Sequence, residues 1–371
     1  MFLATTIKSG LVSAYGGEGC QTVLGKLDQY LTVVSGVTPN AAAAVLDDAA
    51  SMDRFGLPPQ PVGDPSSITA GLRRLSTSAR LPEPISEILI FGGDEVFPFW
   101  RVVNPVEDRN ADPDPQVLTD NVYAALGSNS QDDWLNPPIA IGRICPGRGA
   151  SANEFSDVLD LLIRNRQNRP PRSGSCAFSN RSWEKASQTA AARLTEPVHW
   201  LLSPDDCVTP GNATQLNCRF LYCNLHGFEN DPAWKGYNTL LDQFVVALTP
   251  DAVSRDYVAG ATVFSEACYG LDVAGKSTAN SCALKFIAEG AAAVVGATGL
   301  AFGSFSEWQT NLLNADRLAS GFFEAASQGQ TAGGCLRAAR SALMGSTSTA
   351  LNTFEKKTLL QFCLLGDPSL A

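Results

Sequence analysis

Short apolar, β-branched runs alternate with helix-like segments along most of the chain, and this alternation limits the possible folds more than any other feature of the sequence. Such a pattern is typical of a mostly parallel sheet with helices on its faces. It predicts strands at 44–46, 87–91, 139–144, 176–179, 199–202, 219–225, 262–264 and 292–295. Apolar residues at helical spacing predict helices at 21–31, 68–75, 152–166, 186–194, 282–289, 311–327 and 334–344. The predicted fold class is therefore α/β.

Charge and cysteine usage exclude several classes of function. The 371 residues carry a formal charge of −10, which argues against a nucleic-acid or anionic-membrane surface. Ten cysteines include no C-x-x-C pair and no Cys/His cluster typical of zinc sites, so we expect free thiols in a reducing compartment. The N-terminus shows no secretory pattern, and the uncharged stretch 290–306 is too short to span a bilayer. We expect a cytoplasmic protein that binds neither nucleic acid nor membrane.

Two prolines and four arginines interrupt the pattern between residues 164 and 174. Because Pro-Pro ends a helix, we predict an N-terminal subdomain at 1–165, a linker at 166–174 and a C-terminal subdomain at 175–371. One interpretation of this segment is a solvated helix end. The other is an exposed site of proteolytic processing at Arg164, Arg166, Arg169 and Arg172.

An acidic stretch at 107–120 contains Asp108, Asp112, Asp114 and Asp120. It lacks the glycine and the terminal glutamate of an EF-hand loop, so an ordinary acidic loop is favoured over a calcium site. No other cofactor is expected from the sequence.

The chain has only two histidines, which narrows the search for a catalytic base. His199 lies inside the apolar run 197–202, where a structural histidine is the better interpretation. His226 instead follows a buried strand and precedes Gly227, so we expect it at the carboxyl end of that strand, where α/β proteins bind ligands.

The same arrangement recurs 42 residues later, where an apolar strand leads into Cys268. Adjacent parallel strands would bring His226 and Cys268 to neighbouring positions, with the thiolate as nucleophile and the imidazole managing protons. The backbone N–H groups of Gly227 and Cys268 would then form an oxyanion hole. The alternative is that Cys268 is one more buried thiol beside a chance His-Gly pair.

These residues, taken with five further segments in the same order, resemble the caspase-like cysteine peptidases of clan CD, and among them the gingipain family most. The segments are 89–98, 119–123, 139–144, 292–298 and 365–370. The resemblance implies a caspase-like three-layer α/β/α sandwich of two subdomains with mostly parallel sheets. Gingipains continue into an immunoglobulin-like domain and are secreted, whereas this sequence ends at Ala371 and shows no leader. The family's acidic residue that supports the histidine is replaced near Asn180, so either Asn180 orients the imidazole or the enzyme uses a simple dyad.

The resemblance also suggests how the primary specificity pocket is built. Glu266 stands two residues before Cys268, where metacaspases have Asp and caspases have Gln. Glu184 falls near the pocket aspartate of gingipains with Arg specificity. Two acids in one pocket would favour Arg or Lys at P1, the residue before the scissile bond, because an unpaired buried charge is costly. For Glu184 and Glu266 the alternative interpretation is a surface carboxylate. Glu229 and Trp234, in a loop that resembles the family's His-Gly-x-Glu segment, would shape the cleft wall, with a loop anchor as the alternative interpretation.

The leading hypothesis is therefore a cysteine endopeptidase that cleaves protein substrates after basic residues and is activated by a protease or a regulatory partner. A catalytically idle interaction or regulatory module is the alternative from another class. An acyltransferase or transpeptidase on the same dyad is a lesser one.

Overall fold

Strands and helices alternate through the part of the chain that the computed structural model describes, which comprises residues 1–38, 40–126, 128, 130–194, 197–304, 312–345 and 350–370. The strands are β1 Phe2–Thr6, β2 Ala42–Val45, β3 Glu87–Phe91, β4 Trp100–Val103, β5 Gln116–Thr119, β6 Ala140–Ile144, β7 Ser175–Asn180, β8 Val198–Ser203, β9 Phe220–Asn224, β10 His226–Phe228, β11 Asp231–Asn238, β12 Gln243–Leu248, β13 Thr262–Ser265, β14 Ala293–Ala297 and β15 Phe362–Gly366. The α-helices are α1 Lys8–Ser35, α2 Ala49–Asp53, α3 Pro65–Ser76, α4 Asn121–Ala124, α5 Gln131–Leu135, α6 Ala152–Asn168, α7 Glu184–Ala191, α8 Arg255–Val258, α9 Cys282–Ala288, α10 Asn314–Ser327, α11 Ala332–Gly345 and α12 Thr353–Gln361.

Ten of the strands form one sheet in the order β2-β1-β3-β6-β15-β14-β13-β9-β7-β8. Every neighbouring pair is parallel except β14 and β15, which are antiparallel. The sheet therefore consists of two parallel halves that run in opposite directions and meet between β14 and β15. The predicted α/β class with mostly parallel pairing is confirmed.

Helices cover both faces of this sheet, so the sheet is the middle layer of a three-layer sandwich. The apolar sides of α1, α6 and α9 pack on one face, where Leu27, Phe155 and Phe286 belong to one core cluster. The other face is covered by α3 at one end and by α10, α11 and α12 at the other. In the described part of the chain, no helix has the length and apolar character that crossing a bilayer would need.

All eight predicted strands are present, with bounds that differ by at most a few residues. The sequence pattern does not predict β1, β15, the hairpin β4–β5 or the small antiparallel sheet β10-β11-β12. β1 and β15 are entirely buried, yet β1 ends in two threonines and β15 is an apolar run that periodicity alone cannot assign.

Buried ion pairs join the segments that resemble the gingipain family. Arg143 on β6 is wholly buried and donates to both carboxylate oxygens of Asp120, at 2.6 and 3.0 Å. Asp367, which follows β15, lies 3.0 Å from Arg166 and accepts a hydrogen bond from the Tyr30 hydroxyl at 2.6 Å. Because removing one partner of a buried pair leaves an uncompensated charge, these segments support the fold rather than the chemistry.

The arginine-rich segment is not the freely exposed linker that the sequence predicts. Helix α6 continues to Asn168, so Arg164 and Arg166 lie on a helix, and Arg166 is bound by Asp367. Arg169 Nε donates to the Gly260 carbonyl at 2.7 Å, and Arg172 Nη2 donates to the Asp256 carbonyl at 3.0 Å. A protease would have to detach this segment before it could cleave it, and processing there stays a prediction.

Candidate active site

The neighbouring strands β9 and β13 place His226 and Cys268 at one edge of the sheet. The strands are parallel, and Cys223 pairs with Ser265 near their carboxyl ends. His226 and Cys268 each lie three residues beyond this pair, so the chain leaves both strands in step. Both residues line one cavity of about 210 Å³. The structure thus brings the two residues together as the strand pattern predicts.

Gly227 makes this close approach possible. A Cβ atom built on Gly227 would lie 1.9 Å from the Cys268 carbonyl oxygen and 3.2 Å from the Cys268 nitrogen. No side chain fits there, because real Cβ contacts essentially never fall below about 3 Å. The His-Gly sequence is therefore a packing requirement of the two loops that carry the histidine and the cysteine.

Aromatic rings surround His226. The centre of its ring lies 4.3 Å from that of Trp183 and 4.9 Å from that of Phe244, with Tyr237 at 6.3 Å. These rings partly bury the imidazole, and this burial lowers the pKa of His226 to about 4. The imidazole is therefore neutral at neutral pH.

Asn180, at the end of β7, contacts the imidazole at its Nε2 atom. Its Oδ1 accepts the Tyr237 backbone N–H at 3.2 Å, and a backbone N–H can only donate. The Nδ2 of Asn180 therefore faces His226 Nε2, at 3.4 Å, and Nδ1 is left as the ring nitrogen for proton transfer. At this distance the contact favours the tautomer protonated on Nδ1 only weakly.

The Cys268 thiol lies against the backbone of Ala301. The Ala301 N–H donates to Sγ at 3.3 Å, and Sγ lies 3.5 Å from the Ala301 carbonyl oxygen. Burial raises the pKa of Cys268, and the Ala301 N–H and the Lys357 ammonium offset part of this rise. With a neutral imidazole beside it, the thiol is protonated at rest and needs a base to become a nucleophile.

Two carboxyl groups meet beside the cavity, and Glu266 is the one that lines it. Glu266 is 6% exposed and accepts the Tyr222 hydroxyl at 2.5 Å, while Asp316 is wholly buried and accepts the Ser304 N–H at 2.5 Å. A Cβ atom on Gly303 would lie 3.1 Å from Asp316 Oδ2 and 3.4 Å from Glu266 Oε2, so both groups approach the same point. Burial and mutual repulsion raise the pKa of Glu266 well above its usual range, and burial raises that of Asp316. The pair therefore favours sharing one proton over carrying two charges, and a bound cation would favour loss of that proton.

Asp316 was not identified from the sequence, and the predicted partner Glu184 does not line this cavity. Glu184 begins α7, 3.8 Å from Arg181, and accepts a hydrogen bond from Gln188. Asp316 lies on α10, which packs across the sheet beside α7, and its only signal was an acidic residue on an otherwise apolar helix face. The expectation that Glu184 and Glu266 share a pocket is therefore wrong.

The two residues predicted for the cleft wall lie outside the cavity. Glu229 is exposed between β10 and β11, and its carbonyl accepts the Lys276 ammonium at 2.6 Å. Trp234 is 4% exposed and stacks on Phe286 in the core, which matches the loop-anchor interpretation. His199 is exposed on the edge strand β8, far along the sheet order from β13.

The acidic stretch is bound by cations of the protein itself. The wholly buried Lys357 ammonium lies 2.5 Å from Asp112 Oδ2 and 2.8 Å from Asp114 Oδ2. Asp114 also accepts the Tyr269 hydroxyl and the Leu300 N–H, both at 2.7 Å. Although burial alone would raise the pKa of Asp114, the hydrogen bonds from Lys357 and Tyr269 hold it below its usual value. Asp114 thus anchors the residues next to Cys268 and Ala301, a role that no local sequence pattern indicates.

The described residues contain no group of three or more His, Cys, Asp or Glu side chains placed to hold a metal ion. The ten cysteines are all free thiols, and eight of them are buried. Only Cys207 and Cys268 are partly exposed.

Comparison with known proteins agrees with this geometry. Residues 213–371, which include both His226 and Cys268, match the family model of peptidase family C25. No curated protein sequence matches the chain. The crystal structure of the Arg-specific cysteine proteinase gingipain R is similar over 99% of this chain and 77% of that one, with a TM-score of 0.66 and 12% identity. A second structure, described only as a protease, is similar over 100% and 78% of the two chains, with a TM-score of 0.59 and 14% identity. The family match covers the segment that holds both residues, and the whole chain has the α/β fold of gingipain R; together these findings support a cysteine-type peptidase.

Proposed function

We propose that this peptidase is an endopeptidase that uses Cys268 as nucleophile and His226 as acid and base, and that it cleaves proteins after Arg or Lys. The observation that carries this proposal is the shared cavity, which is lined by the thiol, the imidazole and Glu266, with the carboxyl group of Asp316 next to Glu266 beside Gly303 of the cavity wall.

The chemistry begins with transfer of the thiol proton to His226 Nδ1, which requires the imidazole tautomer that carries its proton on Nε2. The contact with Asn180 Nδ2 is long, at 3.4 Å, so the ring reaches this tautomer at little cost before it accepts the proton. The sulfur attacks the P1 carbonyl carbon, and the backbone N–H groups of Gly227 and Cys268 stabilise the oxyanion. The C–N bond then breaks, and Nδ1 returns its proton to the leaving amine. Water, deprotonated by the same imidazole, hydrolyses the thioester and restores the thiol.

The carboxyl pair supports a basic P1 residue. A guanidinium or ammonium entering the cavity would displace the shared proton and meet two carboxylates in a buried place, where ion pairs are strong. A P1 aspartate would add a third acid to the pair and would be rejected. The Arg specificity in the description of gingipain R is consistent with this substrate class.

Hydrolysis of fluorogenic peptides with Arg, Lys, Asn or Asp at P1 tests the proposal. Cys268→Ala should abolish cleavage, whereas Cys207→Ala, at the other partly exposed cysteine, should not change it. Glu266→Gln should lower kcat/KM for Arg and Lys by about 30-fold or more, because it removes one partner of a buried charge pair. Glu324→Gln, an exposed acid on the same helix as Asp316, is the matched control. If none of the four peptides is cleaved, the proposal is contradicted and an interaction module is favoured.

A further inference from the structure

The small sheet β10-β11-β12 presents one face on which His226 is surrounded by apolar side chains. His226 pairs with Lys235, which pairs with Val246, and Tyr237 pairs with Phe244. Cross-strand partners and residues two apart along a strand lie on the same face of a sheet. The residues of this face, here called the His226 face, are therefore His226, Phe228, Lys235, Tyr237, Phe244 and Val246.

The His226 face is unusually exposed for its composition. Phe228 is 36% exposed, and Phe244 and Val246 are each 45% exposed. Leu240 and Leu241, in the turn between β11 and β12, are 93% and 64% exposed. Together these five are most of the exposed large hydrophobic residues in the described part of the chain. The other face is packed, because a Cβ atom on Gly236 would lie 2.0 Å from Ser203 Oγ on β8. The rings of Phe228 and Phe244 contact each other, with their centres 4.9 Å apart, and a cluster of exposed apolar side chains is typical of a binding site.

Charge on the His226 face is locally compensated. The Lys235 ammonium lies 2.5 Å from Asp231 and over the Phe228 ring, 5.4 Å from its centre. The surface therefore offers aromatic and aliphatic contact area rather than a net positive charge, and it suits apolar side chains better than acidic ones.

The position of this face relative to the cavity indicates what it binds. Trp183 contacts His226 and lines the cavity that would take the P1 side chain. Phe244 also contacts His226 but does not line that cavity. In the proposed function His226 protonates the leaving amine, so that amine must come within hydrogen-bond reach of the ring. The residues that follow the scissile bond, P1′ and P2′, leave the P1 cavity at His226, and Phe244 is a neighbour of that ring outside the cavity.

We propose that the His226 face binds the substrate segment after the scissile bond and selects apolar side chains at P1′ and P2′. This inference rests on the proposed function and adds a second specificity to it. The occupant is an extended peptide segment whose apolar side chains cover Phe228, Phe244 and Val246.

Internally quenched peptides with Arg at P1 and Leu, Gly or Lys at both P1′ and P2′ test this inference. The Leu peptide should exceed the Gly peptide in kcat/KM by about tenfold, the effect of burying one or two aliphatic side chains. Val246→Glu should reverse the order of the Leu and Lys peptides, because it places a carboxylate on the face. Val12→Glu, at a valine of nearly equal exposure (43%) on α1, should leave the order unchanged. A gain toward the Lys peptide cannot come from misfolding.

Equal kcat/KM for all three peptides, with cleavage intact, would overturn this inference and leave the proposed function standing. If no peptide is cleaved, fluorescence anisotropy of the same peptides with Cys268→Ala decides the question, since binding needs no chemistry. Equal affinity for the Leu and Gly peptides would again overturn the inference. A dimer that Val246→Glu dissociates, without any change in peptide selectivity, would assign the face to a second copy instead.

Discussion

Replacing Asn180 by Asp tests the account of His226 most directly. Asn180 is 1% exposed, and its amide nitrogen faces His226 Nε2 at 3.4 Å. Asp is nearly the same size as Asn and keeps an oxygen for the Tyr237 N–H. Asn180→Asp therefore changes one property, the charge and hydrogen-bonding character of the atom beside Nε2.

The carboxylate should raise the pKa of His226 and move its resting proton from Nδ1 to Nε2. An opposite charge at such a distance typically shifts a pKa by about 1–3 units, or about 1.4–4 kcal/mol. Burial of the new carboxylate opposes part of this gain, so we expect a shift of about 2 units. From a starting pKa of about 4, this shift gives the imidazole a pKa of about 6.

The pH dependence of kcat/KM measures this shift. Below its pKa the imidazole is protonated and cannot accept the thiol proton, so the acid limb of the profile should move up by about 2 pH units. Near pH 7.5 the rate should rise, because a neutral imidazole with a higher pKa is a stronger base with Nδ1 already free. The chain has two histidines, so NMR titration in a His199→Gln background reads His226 alone.

Asn180→Ala separates charge from packing in the same experiment. It removes the contact without adding a carboxylate, so its acid limb should stay near that of the wild type. An acid limb that does not move in Asn180→Asp, or that moves downward, would refute the argument that residue 180 controls the imidazole.

Three further changes have defined outcomes. Glu266→Gln should raise the thermal midpoint at pH 7 by about 2 °C or more while it impairs cleavage, and scanning calorimetry measures this. The reason is that the pKa values of Glu266 and Asp316 are raised in the folded protein, so the folded pair keeps a proton that the unfolded chain loses as pH rises through the usual carboxyl range. The free energy of unfolding of the wild type therefore falls over that range, and that of Glu266→Gln falls less. Lys357→Met should lower the free energy of unfolding by about 3–5 kcal/mol in a denaturant titration, because it leaves Asp112 and Asp114 buried without their cation. Gly227→Ala should lower kcat by about 100-fold or more with unchanged far-UV circular dichroism, since the new methyl group would force the Cys268 loop away; wild-type kcat in this variant would contradict the close approach.

The sequence predicted the parts of this molecule that repeat a local pattern. The strands β3, β6, β9 and β13 are buried on both faces and appear as apolar runs, so the positions of His226 and Cys268 after β9 and β13 followed from the strand rule. No further information is needed to place both residues at the same edge of the sheet, because the carboxyl ends of neighbouring parallel strands lie at one edge.

A local sequence pattern does not predict contacts between residues that are far apart in the sequence. Asp316 reaches Glu266 from a helix 50 positions later, and Lys357 reaches Asp114 across 243 positions. Glu184 was assigned to the pocket by its place in the chain, whereas α7 points it toward Arg181 and Gln188. The His226 face was missed because the exposed residues of β12 alternate with apolar ones, Val245 and Ala247, and give no polar signal.

The position of β15 has a consequence for how the molecule folds. This strand comes last in sequence among the fifteen, yet it lies in the middle of the sheet, between β6 and β14. Until residues 362–366 have been synthesised, each half of the sheet has an unpaired edge, and such edges invite pairing with other chains. Its contact with β6 joins Leu365 to Arg143, a large separation in sequence that makes the pairing slow to form. A nascent chain therefore exposes unpaired edges at β6 and β14 until β15 emerges and joins the two halves of the sheet.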